Sequence, residues 1–258
     1  MGIVRLDKKD HITYITLNRT DVLNALNYEL LLELQTIIET IHLDSSVRVV
    51  VITGAGDKAF SVGADLKERK SLPNEFVIRN LNKFNEVFSS IEQLPQPTIC
   101  ALNGYAFGGG LELALACDFR FAADHITIGL TETSLGIIPG AGGTQRLPRI
   151  IGETKALELI LTAKRISALE AMEYGLLTKI VPAEQLLEEV NLFAQSILQN
   201  APIAINQAKF AVKQGMKVDI QTGLQIERKA YELTIPTKDR IEALQAFAEK
   251  RKPNFKGK

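Results

Sequence analysis

A length of 258 residues suits one core domain, or one core with a helical appendage, because single hydrophobic cores stop growing at roughly 250–300 residues. Hydrophobic residues make up 46% of the chain and charged residues 23%, and no apolar run reaches the ~18 residues that a bilayer demands, so a soluble protein is expected and a helical membrane protein is excluded. Lys plus Arg equals Asp plus Glu at 30 each, which removes the global positive field that holds a polyanion by counterion release.

The opening segment, MGIVRLDKKD, has no apolar signal region, and Leu6 stands where a myristoylation signal needs Ser or Thr, so no address tag is expected. Alternation over 12–17 (ITYITL) predicts a half-buried strand. Asn27 then reads as the cap of a helix carrying Leu30, Leu34, Ile37, Ile38 and Ile41 on one face. The β-branched run 47–53, stopped by Gly54-Ala55-Gly56, predicts a buried strand and its turn. Similar short strands are expected over 98–102, 119–122 and 126–128, with a helix over 111–117, and strands alternate with helices to about residue 182. From Ala201 onward only helical patterns remain, over 203–213, 221–233 and 239–251. The expected architecture is an α/β core over 1–200 followed by a helical segment over 201–258, with no fixed-period repeat and no flexible linker between them. Cys100 and Cys117 lie in apolar segments, which suits reduced, packed thiols and a cytoplasmic location.

Three segments carry chemistry. In Asn103-Gly104-Tyr105-Ala106-Phe107-Gly108-Gly109-Gly110-Leu111-Glu112 a strand passes through three consecutive glycines into a helix. Glycines let a ligand approach the main chain, and the free N–H groups of a helix start offer an oxyanion site. Glu112 there either serves such a site or merely complements the helix dipole. Thr131-Glu132-Thr133 precedes a second glycine-dense loop, 135–143, that opens another helix, and Glu132 is either a site carboxylate or an exposed loop carboxylate. The third segment, Phe60-Ser61-Val62-Gly63-Ala64-Asp65-Leu66-Lys67, links a buried strand to a charged, helix-like run, and standing alone it reads as an ordinary strand-to-helix connection. Spacing alone does not bring the two glutamates together.

Other chemistries lose support. Gly54-Ala55-Gly56-Asp57-Lys58-Ala59 fits a dinucleotide fingerprint only loosely, and Gly63 interrupts the helix it would need. Ser61 lacks a nucleophile elbow because Ala59 fills the first glycine position. His11, His42 and His125 lack metal-ligand spacing, and no Gly-Lys-Ser or Gly-Lys-Thr forms a phosphate loop.

Taken together, GADLK at 63–67, NGYAFGGGLELALACD at 103–118 and ETSLGIIPGAGGTQRLPR at 132–149 resemble the crotonase (enoyl-CoA hydratase/isomerase) superfamily in order and separation, over essentially the whole chain. The resemblance implies a spiral of ββα units with a C-terminal helical trimerisation segment, giving a homotrimer or a dimer of trimers. It implies an oxyanion hole from the backbone N–H groups of Ala64 and Gly109, and retention of both hydratase glutamates, Glu112 and Glu132. The activity implied is syn addition of water to a 2-enoyl-CoA thioester, with Glu112 as base and the α-carbon protonated from the Glu132 side. Coenzyme A is then part of the substrate, and no metal or dissociable cofactor is expected. Asp65, Leu66, Lys67 and Gly140 continue the substrate-binding segments by the same resemblance, and Phe255 and Lys258 match C-terminal positions that contact CoA.

GADLKERK at 63–70, GLELALACD at 110–118, QGMKVDIQTGL at 214–224 and TIPTKDRIEAL at 234–244 look like the methylglutaconyl-CoA hydratase branch, acting in leucine breakdown. A substrate with a distal carboxylate wants a cation, and Lys67, Arg69 or Lys70 is the expected source. A short-chain fatty enoyl-CoA hydratase of β-oxidation is the alternative. RNA binding, which a relative in this branch performs through a lysine-studded first helix, is opposed here because 28–44 carries Glu29, Glu33, Glu39 and Asp44 and no Lys or Arg.

Overall fold

The computed structural model describes residues 2–258. Asp10, at φ 54°, reverses the chain between β1 (Val4–Lys9) and β2 (Ile12–Leu17), which pair antiparallel. The sequence pattern identified β2 but not β1, whose residues 5–9 are exposed and so carry no burial periodicity. Asn27 caps α1 (Tyr28–Leu43) by accepting from Leu30 N at 3.1 Å, and Leu30, Leu34, Ile38 and Ile41 are buried as their spacing requires.

Three strand pairs then follow, each separated from the next by helix. They are β3 (Val49–Gly54) with β4 (Ala59–Ser61), β5 (Thr98–Leu102) with β6 (Tyr105–Phe107), and β7 (Phe119–Ala123) with β8 (Thr127–Gly129). The first strand of each pair enters a six-stranded sheet of order β1-β2-β3-β5-β7-β10, and the second enters a smaller sheet of order β4-β6-β8-β9. Neighbours from successive pairs run parallel, so the chain advances one strand in both sheets at every turn of a spiral. β3 and β5 are buried along their whole length, which explains why they read as unbroken apolar runs rather than alternating ones.

Between the pairs lie α2 (Leu66–Ser71), α3 (Asn74–Gln93) and α4 (Gly109–Ala116). Pro73, at the cap of α3, separates it from α2. The sequence reading left α3 unassigned. Its buried face is the sparse set Asn80, Phe84, Val87, Phe88 and Ile91 within a polar helix. Helices α5 (Gly143–Ile151), α6 (Glu153–Leu161) and α7 (Ala168–Glu173) surround β9 (Ile166–Ser167) and precede β10 (Lys179–Val181). Helix α8 (Leu186–Leu198) packs across β3, β5 and β7.

The remainder is helical: α9 (Pro202–Gly215), α10 (Ile220–Glu232) and α11 (Lys238–Ala248). Lys209 fastens α9 to the core through Asp118, at 2.6 Å, and the Gln96 carbonyl, at 2.9 Å. Met216, Ile220, Leu244 and Phe247 point outward and are exposed. The tail folds back on α11, with Lys256 N and Gly257 N donating to the buried Asp239 carboxylate at 2.7 and 2.8 Å. Cys100 and Cys117 are buried free thiols. Among the described residues no helix is long and apolar enough to cross a membrane, and no group of three or more His, Cys, Asp or Glu could hold a metal ion.

Candidate active site

The ends of β4 and β6 lie side by side, and the two glycine segments meet there. Gly63 adopts φ +86°, and a Cβ on it would stand 2.7 Å from the Phe107 carbonyl and 2.8 Å from Gly109 N. Only glycine permits this approach, which brings Ala64 N next to Gly109 N. A Cβ placed on Gly109 would lie 3.6 Å from Ala64 N. Leu26 N and Asp65 N complete a β-bridge around Ala64, and neither Ala64 N nor Gly109 N donates to any group among the described residues. Gly109 is also the first residue of α4, where the helix dipole adds positive potential.

Glu112 projects from the first turn of α4 and is 3% exposed. Its Oε1 accepts from Ala141 N and Gly143 N, each at 2.8 Å, so the second glycine loop is wrapped around the carboxylate of the first segment. Burial raises the Glu112 pKa, while the two N–H groups and the Arg146 charge oppose that rise. Glu132 opens a 3-10 turn (Glu132–Leu135) and is 8% exposed. Its Oε2 has no hydrogen-bond partner among the described residues, and burial followed by repulsion from Glu112 pushes its pKa up to about 7. Gly108, at φ +50°, makes room for it, since a Cβ there would meet Glu132 Oε1 at 3.1 Å.

Both glutamates and both free N–H groups face one cleft of about 1280 Å³. The predicted residues Ala64, Asp65, Leu66, Lys67, Gly109 and Gly140 line the same cleft. Asp65 has a structural role as well: it caps α2 by accepting from Lys67 N and Glu68 N and pairs with Arg19 at 3.0 Å. Burial works against its charge, yet these bonds and Arg19 leave its pKa lowered. Of the three cations proposed to meet a distal carboxylate, Lys67 and Arg69 line the cleft and Lys70 does not. Phe255 and Lys258 are not brought to this cleft either. No residue after Arg165 lines it, because the tail is held on α11, where the Lys258 carbonyl accepts from Lys238 N at 2.7 Å.

The sequence reading missed two parts of the site. Arg165, just before β9, lines the cleft with its guanidinium 4.5 Å from the centre of the Phe107 ring, which stacks on Tyr105. Nothing near residue 165 signals this, because only the pairing of β9 with β8 carries it to the Glu132 side. The second is Arg146, paired with Glu92 at 2.7 Å behind the loop that holds Glu112. Arg146 lies within a quoted motif, but Glu92 is 54 residues away and gives no local signal.

A model of the enoyl-CoA hydratase/isomerase family matches residues 7–258. The chain is 52% identical over 250 residues to the putative enoyl-CoA hydratase/isomerase YngF of Bacillus subtilis, covering 97% of this chain and 96% of that protein. It is 44% identical over 250 residues to the mitochondrial methylglutaconyl-CoA hydratase of Homo sapiens, covering 95% of this chain and 74% of that protein. The crystal structure of an enoyl-CoA hydratase from Bacillus anthracis superposes with a TM-score of 0.98 at 52% identity over the full length of both chains. With a family match across nearly its whole length and a fold that coincides with a solved member, the chain belongs to the enoyl-CoA hydratase/isomerase family.

Proposed function

We propose that this protein is an enoyl-CoA hydratase, a hydro-lyase that adds water reversibly across the 2,3 double bond of an acyl-CoA thioester. The observation that carries this reading is the convergence in one cleft of two buried carboxyl groups, one held by two N–H donors and one with an oxygen that lacks a partner among the described residues, with two backbone N–H groups that donate to nothing among those residues.

The thioester oxygen accepts from Ala64 N and Gly109 N, so charge developing on it meets dipoles already in place, a donor of this kind being worth ~2.7–4 kcal/mol in the barrier. Glu112, whose ionised form is held by two N–H groups, takes a proton from water as the oxygen bonds to the β-carbon. The π electrons move to the α-carbon and thioester oxygen. Glu132, whose pKa burial and Glu112 push up to about 7, delivers its proton to the α-carbon from its protonated form. Hydroxyl and proton arrive from one face, giving syn addition, and proton exchange with solvent resets the pair. Asp65, Leu66, Lys67 and Gly140 line the path of the CoA moiety and the reacting water. No resident metal or dissociable cofactor is part of this scheme.

For the acyl group we favour one with a distal carboxylate, as in 3-methylglutaconyl-CoA. Likeness to the human methylglutaconyl-CoA hydratase and the cleft cation Arg165 support it. A short-chain fatty enoyl-CoA is the competing substrate, favoured by the apolar wall that includes Leu135 and Ile138. The exposed apolar residues of α10 and α11 support assembly as a homotrimer or dimer of trimers. Any contact of Phe255 or Lys258 with CoA then has to be made across subunits. The two buried free thiols suit the reducing cytoplasm.

The test is the ratio of kcat/KM for 3-methylglutaconyl-CoA and crotonyl-CoA, with Glu112→Gln as control. Turnover of either substrate that depends on Glu112 supports the hydratase reading, and the ratio fixes the acyl class. No turnover of any 2-enoyl-CoA by folded wild type would overturn it.

A further inference from the structure

The loop that grips Glu112 is itself held from behind. Arg146, in the first turn of α5, donates through Nη1 to the Ala141 carbonyl at 2.9 Å, and through Nε and Nη2 to Glu92 Oε2 at 3.1 and 2.7 Å. Glu92 lies at the end of α3. The pair is largely shielded, with side chains 14% and 28% exposed. Between its two ends the guanidinium crosses Gly142, at φ +105°, where a Cβ would fall 2.0 Å from Nη1. The same peptide unit whose carbonyl Arg146 holds is preceded by the Ala141 N–H that donates to Glu112 Oε1, and Gly143 N donates two residues on.

We propose that Arg146 is a positioning residue for hydration: braced by Glu92, it fixes the peptide units at 141–143, and through them the Glu112 carboxylate against the reacting water. This rests on the hydratase reading above. Free peptide units in a glycine loop have several conformations within reach, and Pro139-Gly140-Ala141-Gly142-Gly143 offers little of its own to select one. Asn85, donating to the Gly140 carbonyl at 2.8 Å, supplies a second tie at the front of the loop. The charged groups facing Glu112 are Glu132 from the 3-10 turn and Arg146 from α5, with Glu92 of α3 behind the arginine. Arg146 therefore acts on Glu112 in two separable ways, by geometry through the loop and by its charge, which lowers the Glu112 pKa.

Three variants separate these effects. Arg146→Met removes both, and kcat for crotonyl-CoA is expected to fall about 10²-fold, the usual effect of ~1 Å misplacement, with KM changed less than about 3-fold. The acid limb of kcat/KM moves to higher pH. Arg146→Lys keeps the charge but cannot span Glu92 and the Ala141 carbonyl together, so kcat falls while the acid limb stays in place. Glu92→Gln weakens the brace and lowers kcat by a smaller factor. Because Glu92 acts through Arg146, adding Glu92→Gln to Arg146→Met costs nothing further.

An infrared titration of the Glu112 carboxylate, obtained by subtracting Glu112→Gln spectra, reads the same shift without turnover. It keeps this proposal testable if wild type proves inactive on enoyl-CoA substrates, an outcome that would sink the hydratase reading instead. Multiplicative losses in the double variant overturn the proposal, as does a folded Arg146→Met enzyme with unchanged kcat and unchanged Glu112 titration. If Arg146→Met does not fold, Arg146→Lys and Glu92→Gln decide, and wild-type kcat in both overturns it.

Discussion

Glu112 accepts two N–H bonds of 2.8 Å, which oppose the rise that burial gives its pKa, and its charge repels charge on Glu132, whose Oε2 has no partner among the described residues. The asymmetry assigns base to the first and acid to the second. Glu112→Gln and Glu132→Gln are each expected to lower kcat about 10²–10⁴-fold with little change in KM. The double variant should lose much less than the product of the two, since both act in one addition step. Steady-state kinetics of the four proteins measures this, and two fully independent losses would argue against the two carboxyl groups acting as a unit.

The same pair sets the pH response. Hydration needs Glu112 ionised and Glu132 protonated, so kcat/KM should decline as pH rises through about 7, where Glu132 loses its proton in the free enzyme. Bound acyl-CoA displaces further water and adds to desolvation, so the alkaline limb of kcat should lie higher than that of kcat/KM. A kcat/KM that stays flat between pH 6 and 9, roughly the window around that apparent value, contradicts the assignment.

Glu132 also bears on stability. A carboxyl whose folded pKa is raised destabilises the fold only where it is ionised, so its cost is absent below the ordinary value of 4.5 and complete above about 7. Glu132→Gln should therefore stabilise the protein at pH 8 by about 1–3 kcal/mol and leave it unchanged near pH 4. Thermal unfolding at the two pH values checks the sign.

Gly108 and Gly63 are replaceable only at a cost. Gly108→Ala forces φ +50° on an L-residue and drives a methyl to 3.1 Å from Glu132 Oε1. Gly63→Ala meets the Phe107 carbonyl at 2.7 Å and separates the two N–H donors. Each should cost about 1–3 kcal/mol of stability. Of the two, Gly63→Ala should also raise the KM for substrates and weaken binding of enolate-like inhibitors, readable by calorimetry.

The cations of the cleft differ in where they stand. Arg165 lies beside Phe107 on the Glu132 side, whereas Lys67 and Arg69 belong to α2 beyond Ala64. Arg165→Gln should lower the preference for 3-methylglutaconyl-CoA over crotonyl-CoA about 10-fold or more, the loss expected for one charge-assisted bond. Arg69→Gln should affect both substrates alike. A preference that moves with Arg69 and not with Arg165 reverses the placement.

Much of this protein follows from local order in its sequence. The cap at Asn27, the buried runs of β3 and β5 and the three C-terminal helices are set by neighbours within a few residues, so period and capping reveal them. The glycine segments mark where main chain must pass close to something, and resemblance to a known family names what that is. The sequence misses β1, an exposed edge strand, and α3, whose few apolar core residues are spread through a polar helix. Above all it cannot show convergence. Glu112 and Glu132 share a cleft because β6 and β8 are neighbours in the small sheet, and Glu92 reaches Arg146 because α3 and α5 both pack against α4. Such contacts are decided by how sheets stack and helices pack, since the free energy that fixes them comes from burying surfaces distant in the chain, and no window of sequence contains both partners.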